Sequence, residues 1–570
     1  MNRQLPTDLG PWGADAIAPE ARGQNFFSID PDFQSLLKLY LNEPLREHLW
    51  PHWQRLGALA GNRLDELATT ADKNSPVLHP RDRFGRDLEW IEYHPAYKEM
   101  ERIAFSDYGL AAMSHRGGVF DWPDAIPPVA KYAFTYLFVQ AEFSIMCPVS
   151  VSDTAAFLLK RYGSDQLKER YLGPMLSQDM DTLLRGTQFM TERAAGSDVG
   201  RIETEAVFND GEWRLYGDKW FCSHADADVA MILARPQEAG AGTRGLGLFL
   251  MPRHLPDGER NAYRIVRLKD KMGTRDMASG EIALNGATVY PVGELDRGLK
   301  QMMDQVTLSR LSHGVRAAAM MRRCWHEARA AGGRFAFGAP IMARPLAQRQ
   351  LAKVRLPAEQ ALSMFMFTAD VLGRANSGDS DAKSLERILT PLIKLRACRD
   401  NIRAATGAME MRGGNGYIEE WPNARLVREA HVGVLWEGTS NIIALDAIGR
   451  AVGKTGAHRV LDSHLNELMQ IHEVEAPLRA QIQSVLTRAM DLAERVAGDG
   501  KAEVYSRQAG HILYDVTTCA LAAIEGAQMR NAGMEDTRTR WARVLLEQRL
   551  RPVDPFALAE DSVGADELID

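Results

Sequence analysis

Apolar residues recur at helical spacing in two long parts of the chain, on either side of a shorter stretch with a different pattern. Between residues 33 and 185, Leu36–Tyr40 and Ala155–Lys160 show this spacing, which is typical of helices with one buried face. Tyr132–Val139 is apolar nearly all round and is predicted to be a central buried helix. Helical periodicity resumes after residue 299, for example over Leu351–Leu372. The pattern therefore predicts two blocks of packed helices.

Between residues 186 and 298 the pattern changes to short β-rich runs separated by Gly, Asp and Asn, which predicts strands joined by turns. In Gly217–Ser223, strand alternation places Trp220 and Cys222 on one face and Phe221 and Ser223 on the other. The other runs are Arg214–Tyr216, Val229–Leu233, Leu246–Leu250 and Ile282–Leu284. This stretch is predicted to be a β-domain inserted between helical ones.

A chain of 570 residues is too long for one ordinary hydrophobic core. We expect a mostly α fold with a central β-domain, divided into five segments. These are an N-terminal extension (1–32), an N-terminal helical domain (33–185), a middle β-domain (186–298), a C-terminal helical bundle (299–452), and an extra helical domain with an acidic tail (453–570).

Composition narrows the class of protein. With 45% apolar and 25% charged residues, the chain is typical of a globular protein rather than a disordered one. Its net charge of −7 argues against a chain-wide nucleic-acid surface. The chain shows neither a targeting presequence nor an apolar run long enough to span a membrane, so the cytoplasm is expected. The five scattered cysteines suit a reducing compartment and predict no metal site.

Glu437 is the first candidate for chemistry. It is the one carboxylate in the Gly-containing turn Leu435–Asn441, directly before the apolar segment Ile442–Ile448. Ser440 or Asn441 can cap that helix, and Trp436 can shield the carboxylate from water. Taken alone, the turn is compatible with a catalytic base, but it is more typical of an acidic residue in the first turn of a capped helix.

Four further segments each carry a weak signal. Small residues and hydroxyls in Phe189–Val199 can grip a flavin or a phosphate, although loops of this composition are common. In Gly217–Ser223 an aromatic side chain can stack on a ring, or simply pack in a core. Arg334 can clamp a pyrophosphate. The glycines of Gly413–Gly416 let the backbone approach a bulky ligand.

In this order and spacing, the segments resemble the flavin-dependent acyl-CoA dehydrogenase family over residues 33–452. The resemblance implies an N-terminal helical domain, a β-barrel-like middle domain and a C-terminal four-helix bundle, with non-covalent FAD as cofactor. It makes Glu437 the catalytic base and places Ser197 and Arg310 near the substrate. Some relatives carry their base one residue before that arginine, where this chain has Ser309. The implied cofactor-binding residues are Met190, Thr191, Ser197, Phe221, Ser223, Arg334, Phe337, Glu410, Gly413, Gly414, Thr439 and Asn441.

The resemblance also implies a reaction and partners. Glu437 would remove the pro-R α-proton of an acyl-CoA thioester while the β-hydrogen leaves as hydride to flavin N5. Electrons would then pass to an electron-transferring flavoprotein. In the family, Arg334 and the Gly413–Gly414 loop serve the cofactor of a neighbouring subunit, so a homotetramer is expected.

Several departures from the family pattern resemble its AidB-like branch, alkylation-response flavoproteins whose extra C-terminal domain binds DNA. They are Arg193, Ala194, Pro345, Glu410 and Trp436. Residues 453–570, however, hold 13 Lys and Arg against 19 Asp and Glu, a formal net charge of −6, whereas a phosphate-binding domain should be basic.

An arginine cluster in this domain leaves the DNA question open. The cluster consists of Arg538, Arg540, Arg543, Arg549 and Arg551. We favour a solvated helix balanced by Glu535, Asp536 and Glu547, so DNA binding is possible but disfavoured. Acyl-CoA dehydrogenation is the preferred function. The alternatives are a DNA-associated AidB-like flavoprotein with weak dehydrogenase activity, and an acyl-CoA or nitroalkane oxidase.

Overall fold

The computed structural model describes residues 17–552 and residue 556. The acidic tail and the first half of the N-terminal extension lie outside the described residues. The α-helices are α1 (Pro31–Tyr40), α2 (Glu43–Ala60), α3 (Arg63–Asp72), α4 (Pro95–Arg102), α5 (Pro128–Val139), α6 (Met146–Tyr162), α7 (Asp165–Leu167), α8 (Gly173–Met175), α9 (Gly298–Gly332), α10 (Pro345–Asn376), α11 (Ser380–Arg412), α12 (Pro422–Ala430), α13 (Ser440–Leu445), α14 (Ala457–Ile471), α15 (Ala476–Gly498), α16 (Ser506–Asn531) and α17 (Thr539–Leu545).

The strands lie mainly between residues 186 and 291. They are β1 (Val77–Arg81), β2 (Asp87–Glu92), β3 (Gly186–Phe189), β4 (Glu205–Asn209), β5 (Glu212–Ser223), β6 (Val229–Pro236), β7 (Gly247–Pro252), β8 (Tyr263–Leu268), β9 (Ser279–Pro291), β10 (Phe335–Ala336) and β11 (Ala339–Pro340). The mostly α fold with a central β-domain is therefore confirmed.

The chain forms two compact units. The first comprises the described residues within Met1–Asn62, His313–Trp436 and Ser440–Asp570, and the second comprises Arg63–Ser312 and Glu437–Thr439. The five-segment division made from the sequence stays a prediction.

In the second unit, five strands close into a barrel in the order β6, β4, β5, β9 and β7, and β7 pairs again with β6. β3 pairs in parallel with β6 outside this ring, and β8 pairs antiparallel with β9. Every residue of β7 and the first six of β6 are buried, as expected for strands covered on both faces. The helices α5 and α6 of this unit are almost entirely buried, which confirms the predicted central helix.

The prediction that side chains alternate strictly between the two faces over Gly217–Ser223, which lie in β5, is wrong. Lys219 pairs with Ile282 and Cys222 with Gly280, so Trp220 and Phe221 together oppose one residue of β9. This β-bulge puts Lys219 and Cys222, both buried, on the same face although they are three residues apart. The β1–β2 hairpin was also missed, because the whole of residues 33–185 had been read as helical.

In the first unit, the long helices α10, α11 and α16 pack together. A buried network of ion pairs links Glu359 on α10 to Arg538, which directly precedes α17. The Glu359 carboxylate accepts hydrogen bonds from Arg322 (2.9 Å) and from Arg538 (2.6 Å), and Arg538 also donates to Glu525 (3.2 Å). Although burial opposes the change, Arg322 and Arg538 hold the pKa of Glu359 well below its usual value.

The solvated helix proposed for the arginine cluster is wrong for Arg538, whereas Arg543 and Arg551 are exposed. Arg538 is fully buried, and Trp541 beside it on α17 is 1% exposed. Arg543 pairs with Glu475 (2.7 Å), and Arg551 donates to Gln481 (3.2 Å). These arginines point to separate partners rather than forming one basic face.

No helix among residues 17–552 is long and apolar enough to cross a membrane. Within the same described residues, no group of three or more His, Cys, Asp or Glu side chains is arranged to hold a metal ion.

Candidate active site

The turn that carries Glu437 has an unusual backbone. Glu437 has φ 55° and Gly438 has φ 106°, and left-handed conformations are uncommon for residues other than glycine. Such positions persist only where the surroundings fix them, and they cluster at functional sites. The Glu437 side chain is half-buried, whereas Thr439 is exposed.

The predicted helix cap is wrong. α13 begins at Ser440 itself, so Ser440 and Asn441 are its first two residues rather than the residue before it. The Ser440 hydroxyl accepts a hydrogen bond from Arg399 Nη1 (3.3 Å). Ser440 thus joins α13 to α11 within the first unit.

Two side chains of the second unit contact Glu437. Gln188 Nε2, on β3, donates to the Glu437 carboxylate Oε1 (3.0 Å). Arg310 Nε, on α9, donates to the Glu437 backbone carbonyl (3.2 Å). The carboxylate and the backbone of this residue are therefore each held by a separate element.

Arg310 had been assigned to the substrate, and the structure adds a contact with the candidate base. Gln188 was not predicted. A signal was available, because Gln188 directly precedes the predicted flavin loop, which begins at Phe189. Ser309, at the alternative base position, is buried.

A buried ion pair anchors the predicted flavin loop. Lys219 Nζ donates to Glu192 Oε1 (2.5 Å) and to the Leu233 carbonyl (2.7 Å). Glu192 also accepts from the Glu203 backbone N–H (2.6 Å) and the Thr204 hydroxyl (2.5 Å). Although burial would raise it, Lys219 and these hydrogen bonds hold the pKa of Glu192 below its usual value.

The same loop lies beside the end of β5. The Trp220 N–H donates to the Thr191 carbonyl (2.8 Å), and the Thr187 hydroxyl donates to the Ser223 carbonyl (2.6 Å). Met190 and Thr191 are half-buried, Ser197 is exposed, and Phe221 is 60% exposed. These two hydrogen bonds thus join the loop and β3 to the part of β5 that carries the exposed Phe221 ring.

The other predicted cofactor residues belong to the first unit, apart from Thr439. Phe337, at the tip of the β10–β11 hairpin, is 91% exposed and has φ 55°. Glu410 is exposed and accepts a hydrogen bond from Gln350 Nε2 (3.1 Å). Arg334, Gly413, Gly414 and Asn441 are exposed as well.

Within each unit, the predicted residues suit part of a flavin dinucleotide. A Cβ added at Gly196, Gly413 or Gly414 would meet no atom within 4 Å, so open space lies beside each of these backbones. Gly413 has φ 73°, which glycine adopts without strain. An exposed aromatic ring, hydroxyls and an exposed arginine are the groups that a flavin ring and a pyrophosphate require.

The closed barrel, with helical segments before and after it in the chain, is the fold of a known protein family. Residues 187–287 match the acyl-CoA dehydrogenase middle domain, and residues 296–453 match the acyl-CoA dehydrogenase C-terminal domain. Residues 17–182 match the adaptive response protein AidB N-terminal domain.

Individual relatives and solved structures are similar to this chain over most of its length. The putative acyl-CoA dehydrogenase AidB of Escherichia coli is 31% identical over 500 residues, covering 85% of each chain. The structure of Caenorhabditis elegans ACDH-11 in complex with C11-CoA superposes with a TM-score of 0.87 at 24% identity, covering 94% of this chain and 93% of that one. An acyl-CoA dehydrogenase complexed with FAD from Bacillus anthracis gives a TM-score of 0.66 at 18% identity, covering 84% of each chain. The two structures support the fold.

The chain belongs to the acyl-CoA dehydrogenase family, whose members are FAD-dependent oxidoreductases, and it includes the AidB-type N-terminal domain.

Proposed function

We propose that this protein catalyses the α,β-dehydrogenation of an acyl-CoA thioester, with Glu437 as the base that removes the α-proton. The main support is the Glu437 turn, where a half-buried carboxylate is held by Gln188 and its strained backbone by Arg310. A general base must be held within reach of the proton that it takes, and left-handed positions fixed by their surroundings cluster at functional sites.

In the proposed reaction, the Glu437 carboxylate takes the pro-R α-proton as the α,β double bond forms. FAD, when bound, accepts the β-hydrogen as hydride and so removes the two electrons. The Gln188 amide donates a hydrogen bond to the Glu437 carboxylate, and the Arg310 guanidinium donates to the Glu437 backbone carbonyl, so side chain and backbone are both held in place. Arg310 holds the backbone carbonyl of Glu437 in place while the Glu437 carboxylate accepts the proton.

We assign the flavin ring to the loop and strand of the second unit, namely Met190, Thr191, Ser197, Phe221 and Ser223. The remaining cofactor contacts are assigned to Arg334, Phe337, Glu410, Gly413, Gly414, Thr439 and Asn441, and the CoA portion to Ser197 and Arg310. Support comes from the exposure of Phe221 and Phe337 and from the open space beside the loop glycines.

We further propose a homotetramer. Phe337, Leu346 and Tyr417 are each more than 80% exposed in the single chain, which is expected of side chains that meet a neighbouring copy. An electron-transferring flavoprotein is the proposed electron acceptor. A cytoplasmic location stays a prediction from the sequence.

The arginine cluster does not favour the DNA-associated alternative, because Arg538 is buried and Arg543 and Arg551 have separate partners. It predicts salt-dependent retention on DNA. The oxidase alternative predicts rapid peroxide formation in air.

The decisive experiment is an anaerobic titration of the FAD-loaded protein with acyl-CoAs of graded length, following the loss of flavin absorbance. C11-CoA, which is bound in the C. elegans relative, belongs in the series. We expect stoichiometric bleaching by at least one acyl-CoA and slow reoxidation in air. If no acyl-CoA bleached the flavin, the proposed function would be wrong.

A further inference from the structure

Gln188 combines a fixed backbone with a side chain aimed at the candidate base. It lies on β3, where the parallel ladder pairs it with Met231 of β6. Its Nε2 atom donates to Glu437 Oε1 at 3.0 Å. A carboxylate anion only accepts hydrogen bonds, so the amide nitrogen must be the atom facing it.

The other end of this amide has a different environment. Gln188 Oε1 is buried and accepts no hydrogen bond from the residues that the structure describes. A buried acceptor without a donor is costly. The side chain therefore keeps its orientation because of the contact with Glu437, and its oxygen remains able to accept a hydrogen bond from a ligand.

Gln188 and Arg310 act on different parts of Glu437. Arg310 contacts the backbone carbonyl of the left-handed turn, and Gln188 contacts the carboxylate. A turn that is fixed only at its backbone leaves the glutamate side chain free to change rotamer. The contact from β3 removes that freedom.

We propose that Gln188 is a positioning residue for Glu437. It holds the carboxylate in one orientation, from which the carboxylate can accept the α-proton. This inference rests on the proposed function of Glu437. Arg310 on α9 is the charged group hydrogen-bonded to the same residue, and it contributes through the backbone.

The test is Gln188→Met, which keeps the length of the side chain and removes the donor. Gln237→Met is the matched control, because Gln237 is exposed in the same unit. FAD content, the concentration of acyl-CoA that half-saturates the flavin, and the rate of α-proton exchange in deuterated water are measured for the FAD-loaded proteins.

For Gln188→Met we expect FAD content and half-saturation close to those of the parent. Exchange and flavin reduction should both slow by about tenfold, the usual order for one hydrogen bond to a charged group. Gln237→Met should match the parent.

If Gln188→Met does not retain FAD, Gln188→Asn provides the same test, since its amide is too short to reach Glu437. Parental rates of exchange and of flavin reduction in a Gln188 variant that retains FAD would overturn the positioning role alone. Parental exchange in Glu437→Gln would overturn the proposed function itself. The two failures are therefore distinguishable.

Discussion

Removing the Lys219 ammonium should weaken the flavin loop by a predictable amount. Lys219 is 1% exposed, and its Nζ atom lies 2.5 Å from Glu192 Oε1. Lys219→Met keeps the length of the side chain and leaves the Glu192 carboxylate, which is 6% exposed, without its cation. Removing one partner of a buried ion pair typically costs about 3–5 kcal/mol of stability.

Glu192 keeps its hydrogen bonds from Glu203 and Thr204, so we expect a loss near the lower end, about 3 kcal/mol. Because Glu192 directly follows Thr191, the loss should appear in the affinity for FAD as well as in stability. Thermal unfolding and FAD titration of the apoprotein measure the two effects.

The double variant Lys219→Met with Glu192→Gln is the control for this reasoning. It removes the uncompensated charge and keeps acceptors and donors at position 192, so it should recover most of the lost stability. If the double variant were as unstable as Lys219→Met, the loss would not come from the stranded carboxylate and the electrostatic argument would be refuted.

Three further predictions concern local structure. Gly413→Ala should lower stability by about 1 kcal/mol through strain at φ 73°, whereas Gly414→Ala should be neutral; thermal melts of the two check this. Arg538→Met should cost about 3–5 kcal/mol because it removes the cation hydrogen-bonded to the buried Glu525, a loss that chemical denaturation would show and that an unchanged midpoint would contradict. Burial, aided by Arg396, lowers the pKa of His511 from 6.5 to about 4, so stability is lost as pH falls from 6.5 towards 4. Over that range His511→Asn should lose less melting temperature than the parent.

The periodicity of the chain was enough to predict the long helices and the β-domain, because period-3.6 and period-2 patterns follow from burial of one face. Tyr132–Val139 shows this, since its apolar sequence matches its complete burial in α5. The bulge in β5 could not be predicted in this way, because it arises from pairing with β9, about sixty residues later.

The burial of Arg538 could not be predicted from the sequence for the same reason. Its partners Glu359 and Glu525 lie on α10 and α16, and only the folded chain brings these charges together. Local sequence suggested a solvated helix, because neighbouring acids seemed sufficient to balance it. Gln188 was missed because its importance depends on a contact with a residue 249 positions away.

The central claim is that Glu437 is the α-proton base, and Glu437→Gln tests it most directly. The change keeps the shape of the side chain and removes its basicity. Glu420→Gln, at an exposed glutamate, is the matched control. Stopped-flow reduction of the bound flavin, with an acyl-CoA that bleaches the parent, is the measurement.

We expect Glu437→Gln to retain FAD and to bind the acyl-CoA, and its flavin reduction to slow by about 10²–10⁴-fold, the usual effect of losing a general base. Glu420→Gln should reduce at the parental rate. Flavin reduction by Glu437→Gln at the parental rate would contradict the account.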